Sequence, residues 1–200
     1  MCIIRIGVTA LCNHQLYPTQ ETVMDGGHEQ STSKINSDNK WHVVDGVVHT
    51  TITTTGIDPN NYQVGDNLFD GALQILRSPL YHASTGVTSN VVIVDTIAFD
   101  HLHLHDTIRT QAIMKEMLEK GYKLPSPELA LEIFSKWTLA DFKAMNMFSA
   151  MIMHTPIEKR WLAVFTNHYS TQLCGYNGVC GVLGKRRHKL PMHGLLFEKC

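Results

Sequence analysis

The chain has 200 residues, 44% of them hydrophobic and 18% charged, with a formal net charge of −1 when the histidines are neutral. That length and balance fit one globular domain over 1–200. No run approaches the roughly eighteen consecutive apolar residues of a membrane helix, and the opening Met1-Cys2-Ile3-Ile4-Arg5-Ile6 is too short and wrongly ordered for a signal peptide, so no membrane association and a cytoplasmic location are expected.

Five cysteines, at positions 2, 12, 174, 180 and 200, form no CxxC pair, which suits a reducing compartment. Cys2 reads as a small buried residue of a first strand rather than an N-terminal nucleophile. Twelve histidines make the charge unusually sensitive to pH between about 7 and 5.

In chain order, Cys2 to Thr9 reads as an opening strand, followed by a polar loop at about 13–40. Trp41 to Val44 and Val47 to Thr50 flank Asp45-Gly46, the dipeptide favoured in a two-residue type I′ turn. The register is then fixed, with Val44 opposite Val47, Val43 opposite Val48, and His42 opposite His49. The threonines to Thr55 prolong the second strand and Gly56 ends it.

Asp66 to Arg77 carries helical apolar spacing, weakened by Gly71. Val91 to Val94 is a buried-strand run leading into Asp100-His101-Leu102-His103-Leu104-His105-Asp106. If the strand continues through 105, His101, His103 and His105 share one face, with α-carbons about 7 Å apart.

Asp106 is a plausible N-cap for a helix whose stripe is Ile108, Ala112, Ile113, Met117 and Leu118, stopped by Gly121. Helix N-termini favour anions, so a phosphate or carboxylate fits there. Ser126-Pro127-Glu128 starts a second helix and Thr138 to Asp141 a third, with a capping box. Phe148 to His154 and Arg160 to His168 read as a hairpin, and Val179 to Leu183 as a short last strand.

The C-terminal segment 185–200 is basic. Lys185, Arg186, Arg187 and Lys189 lack interleaved aromatics, which favours a solvated tail over nucleic-acid binding. Met145, Met147, Met151 and Met153 suit a core. Strand-rich flanks around a helical middle indicate an α+β fold with a mixed sheet.

The histidine face suggests zinc or another divalent metal held by His101, His103 and His105, with Asp100, Asp106, His154 or His168 as further ligands. A hydrolase acting on a phosphoester or other small anionic substrate follows, with Asp106 at its catalytic centre. The run 101–106 resembles the HxHxDH motif of the metallo-β-lactamases, with its last two residues reversed and without the following glycines.

His49-Thr50-Thr51-Ile52 and His168-Tyr169-Ser170 resemble the paired His-x-Thr/Ser motif of the 2H phosphoesterases, although Thr171 stands where a hydrophobic residue is expected. That resemblance implies a metal-free phosphoesterase in which His49 and His168 exchange protons with the substrate. A half-exposed sheet face, in a non-enzymatic binding or assembly protein with interface histidines, explains the same alternation. Oligomeric state is not encoded in any of these features.

Overall fold

The computed structural model describes residues 34–35, 41–62, 67–102, 106–167, 169–178 and 191–200. All of them belong to one compact unit, Ser31–Cys200. The expected strands at 2–9 and 179–183 and the basic cluster at 185–189 lie outside these residues, as does most of the loop at 13–40.

Among the described residues are nine strands: β1 (Lys34–Ile35), β2 (Trp41–Val44), β3 (Val47–Thr55), β4 (Thr85–Asp95), β5 (Tyr122–Lys123), β6 (Met147–Ile152), β7 (Trp161–Thr166), β8 (Thr171–Tyr176) and β9 (Met192–Lys199). The α-helices are α1 (Asp70–Leu76), α2 (Asp106–Glu119), α3 (Leu129–Lys136) and α4 (Leu139–Ala144). The fold is α+β, with one sheet ordered β1-β2-β3-β4-β9-β6-β7-β8 and β5 added beside β9. The sheet is mixed because β6 and β9 run parallel, while every other pairing is antiparallel.

Turn chemistry sets the β2–β3 hairpin. Asp45 and Gly46 have φ of 50° and 75°, the pair of positive values a type I′ turn requires. The register is Val44 to Val47, Val43 to Val48 and His42 to His49, as the dipeptide predicts. Gly121, at φ 86°, stops α2 in the left-handed conformation that glycine adopts without a Cβ penalty.

Thr138 and Asp141 exchange both hydrogen bonds of a capping box at the start of α4. Ser126 and Pro127 form a leading turn, their carbonyls accepting from the Leu129 and Ala130 amides at 3.3 and 3.1 Å, and regular helix begins at Leu129.

The middle of the sheet is buried on both faces. Val91 and Ile93 of β4, Ile152 of β6 and Leu162 and Val164 of β7 join one apolar cluster with α1, α3 and α4. Their neighbours Val92, Met151, Trp161 and Ala163 join a second with Ile113, Met114 and Met117 of α2. A strand covered twice reads as a continuous apolar run, which explains Val91 to Val94. On β3, by contrast, burial alternates along the strand, because one of its faces is largely uncovered.

Met145, Met147, Met151 and Met153 are all buried, as core residues. The strand β9 lies at the centre, between β4 and β6, so the end of the C-terminal segment is a core element rather than a tail. Among the described residues no helix is long and apolar enough to cross a membrane.

Candidate functional site

The connection from β4 to α2 carries the residues singled out for metal chemistry, and its path differs from a continued strand. β4 ends at Asp95, whose carboxylate accepts from the Ile97 amide at 3.3 Å. That bond caps a 3₁₀ turn over Thr96–Phe99, and the Leu102 amide closes a further turn on the Phe99 carbonyl at 3.0 Å. Phe99 is buried and Leu102 packs partly buried beneath α2. The chain is therefore coiled at His101 and Leu102. His103 and His105 lie outside the described residues, as does the side chain of Asp106, whose backbone opens α2.

His101 is exposed, and its Nε2 lies 3.1 Å from Glu116 Oε2, one face along α2. Glu116 in turn accepts from Lys120 Nζ at 2.7 Å. The Lys120 hydrogen bond holds the Glu116 carboxyl below its usual range, with desolvation opposing and the His101 contact assisting. This carboxylate orients the imidazole through Nε2.

On the buried side of α2 the helix departs from the stripe expected for it. Ile108 and Leu118 are 56% and 46% exposed, while Arg109 and Thr110 are fully buried with Ile113, Met114 and Met117. Arg109 Nη2 donates to the Phe99 carbonyl at 3.1 Å and lies 3.4 Å from Asp100 Oδ1. Its Nε and Nη1 have no hydrogen-bond partner among the described residues. Thr107 Oγ1 donates to the Asn177 carbonyl at 2.9 Å, which seats the start of α2 at the end of β8. Hydropathy spacing hides Arg109; the visible signal was a charge four residues before Ile113, on its own helix face.

His154 was a candidate ligand, and both of its nitrogens are committed elsewhere. Nε2 accepts from the Leu162 amide at 2.9 Å, so Nδ1 carries the proton and donates to the Thr155 carbonyl at 2.6 Å. Burial pushes its pKa down to about 4, and the ring is a satisfied core histidine with no lone pair left for a metal.

His49 lies on β3 and stacks on His42, ring centroids 5.1 Å apart. Its proposed partner His168 is outside the described residues. The neighbours Asn167 and Tyr169 belong to the turn between β7 and β8, where Asn167 Oδ1 accepts from the Tyr169 and Ser170 amides at 2.8 Å. Three strands, β4, β9 and β6, separate β3 from β7.

A second polar group is not apparent from hydropathy spacing, and its one signal in the sequence is a pair of glutamates four residues apart at the otherwise apolar start of α3. Glu128 accepts from the amide and hydroxyl of Ser84. Glu132 accepts from the Thr55 amide at 2.5 Å and hydroxyl at 2.9 Å, and pairs with Lys136 at 2.6 Å. These carboxylates clamp α3 to the loop before β4 and to the end of β3, which is structural work. Beside them Tyr81 is buried with no partner for its hydroxyl among the described residues, and burial, then the Glu128 and Glu132 charges, raise its pKa.

Among the described residues, no three His, Cys, Asp or Glu side chains are grouped so as to share a metal ion. Comparison with protein-family models, curated sequences and solved structures gives no match.

Proposed function

We propose that the protein is a histidine-based, metal-dependent hydrolase of a phosphoester or other small anionic substrate, with its reacting groups in the segment from Asp100 to Asp106. The observation that carries this reading is the His101–Glu116 contact of 3.1 Å. Metal-ligating histidines characteristically direct their second nitrogen at a carboxylate, which fixes the tautomer and raises ligand basicity.

His101, His103 and His105 are the proposed nitrogen ligands, and a bound divalent ion such as zinc would supply a water acidified to a pKa near 7. Asp106, opening α2, is the proposed acceptor of the proton from that water. The first-turn amides of a helix have no intrahelical partner and favour an anionic substrate.

The test is metal analysis of untagged protein together with turnover of a generic phosphoester, p-nitrophenyl phosphate. His103→Ala should remove both the metal and the turnover, and retention of either counts against the reading.

A further inference from the structure

A guanidinium enclosed by protein with donors left over is an unusual thing to find beside a helix N-terminus. Arg109 is fully buried, and one N–H on Nε and two on Nη1 meet no partner among the described residues. The Asp100 carboxylate is a long contact at 3.4 Å and is itself 48% exposed.

Charge of this kind is costly to bury, because the lost hydration is recovered only when the group is both paired and fully hydrogen-bonded. The helix also gives up apolar burial to place it there, since Ile108 next door is 56% exposed. Violations of the hydrophobic pattern of this sort concentrate where a protein does something besides fold.

Side chains on a helix lean toward its N-terminus, and the Nη2 contact with the Phe99 carbonyl places the guanidinium at the start of α2, where the first-turn amides have no intrahelical partner. On the same face of the sheet, buried Trp161 also leaves its indole N–H without a partner among the described residues. Among the described residues the unpartnered buried polar atoms on this side are all donors, which calls for an acceptor carrying negative charge.

We propose that Arg109 anchors a binding site for a phosphate-like oxyanion beneath the first turn of α2, the anion replacing the weak Asp100 contact and meeting the free guanidinium donors. Half-exposed Asp100 and exposed His101 mark the side from which it enters. The site deepens the hydrolase reading by naming the group that holds the substrate's charged end, and it rests on that reading only for the identity of the substrate.

The experiment uses the full chain dialysed into chloride, with inorganic phosphate titrated at constant ionic strength and sulfate as a second arm. Wild-type protein should bind phosphate saturably by equilibrium dialysis and show a melting temperature that rises with phosphate beyond the chloride control. Arg109→Met should lose that rise and at least ten-fold in phosphate affinity, while melting in chloride at or above the wild-type temperature, because an unpartnered buried charge has been removed.

Absence of saturable phosphate binding by the wild type overturns the proposal, whatever the variant does. So does an Arg109→Met chain that melts well below wild type in chloride, which would show the guanidinium already satisfied by the protein. Equal binding of sulfate identifies a general tetrahedral-oxyanion site and supports it. His101→Ala should keep phosphate binding; bound phosphate without turnover in the wild type would defeat the hydrolase reading and leave this site standing.

Discussion

The rings of His42 and His49 stack 5.1 Å apart and 12° from parallel, directly opposite one another across the Asp45-Gly46 turn. Two imidazolium ions cannot share that arrangement without repulsion. Burial lowers the His49 pKa, and the positive charges of Lys199 and His42 lower it further. His42→Ala removes one of those charges and the ring that shields His49 from water. The His49 pKa, followed by NMR, should therefore move up toward the ordinary imidazole value; an unchanged or lower value would show that the stacking has no electrostatic consequence.

The buried His154 predicts a specific acid sensitivity. Its native pKa of about 4 lies below the ordinary 6.5, so the unfolded chain takes up a proton at a pH where the native ring stays neutral. The stability contributed is complete above 6.5 and is lost as pH falls from there toward 4. That gap is worth on the order of 3 kcal/mol. Urea denaturation at pH 7 and pH 5 should show the loss, and His154→Gln should flatten most of the slope, leaving the smaller His49 contribution of the same sign. The variant is also destabilised at pH 7, by about 1–3 kcal/mol, because the Leu162 amide loses its acceptor.

The clamp between α3 and β3 acts in a lower pH window. The Glu132 carboxyl is buried, which raises its pKa, but the hydrogen bonds from Lys136 and Thr55 outweigh burial and leave it below 4.5. Its contribution is present above the unfolded value and disappears as pH falls below it. Glu132→Ala strands the Thr55 amide and the Lys136 charge, and should cost about 2–4 kcal/mol in chemical denaturation at pH 7. A loss under about 0.5 kcal/mol, typical of a surface substitution, would contradict the clamp.

Much of this architecture is legible where local chemistry leaves the chain little choice. Asp45-Gly46 dictates a register to the residue, Thr138 and Asp141 announce a helix start, and Gly121 announces a stop. Legibility fails where tertiary contacts decide. The alternation of His and Leu after Asp100 has the period of a strand, but β4 stops at Asp95, whose carboxylate caps a turn that ends with Phe99 in the core under α2. The helix stripe holds at Ile113 and Met117 but not at Ile108 and Leu118, because Arg109, Thr110 and Met114 take the buried face instead.

β9 was hidden for another reason. Its apolar stretch, Leu195 to Phe197, is short and follows a basic cluster, and being buried on both faces it shows no alternation. Of the candidate site, the sequence supplied the histidines and the helix start, whereas the Glu116 contact and the interior guanidinium depend on how α2 is laid on the sheet.

Gly71, read from propensity as a weakness in α1, has a packing role. α1 lies so close to β8 that a Cβ added at Gly175 would collide with the Gly71 carbonyl. The Phe69 amide donates to the Leu173 carbonyl at 3.1 Å and the Leu173 amide to the Asn67 carbonyl at 2.9 Å, which holds the helix there. Gly175→Ala should cost about 1–3 kcal/mol by forcing backbone apart. A thermal or urea midpoint equal to wild type would mean that α1 is free to lift from the sheet.

The central claim is that the Asp100 to Asp106 segment holds a metal and performs hydrolysis, and a zinc titration by calorimetry on untagged, metal-stripped protein tests it most directly. The account predicts one equivalent bound by the wild type, restoration of p-nitrophenyl phosphate turnover in step with occupancy, and loss of both in His103→Ala. Turnover that persists in the stripped protein, or zinc binding that His103→Ala leaves intact, would contradict it.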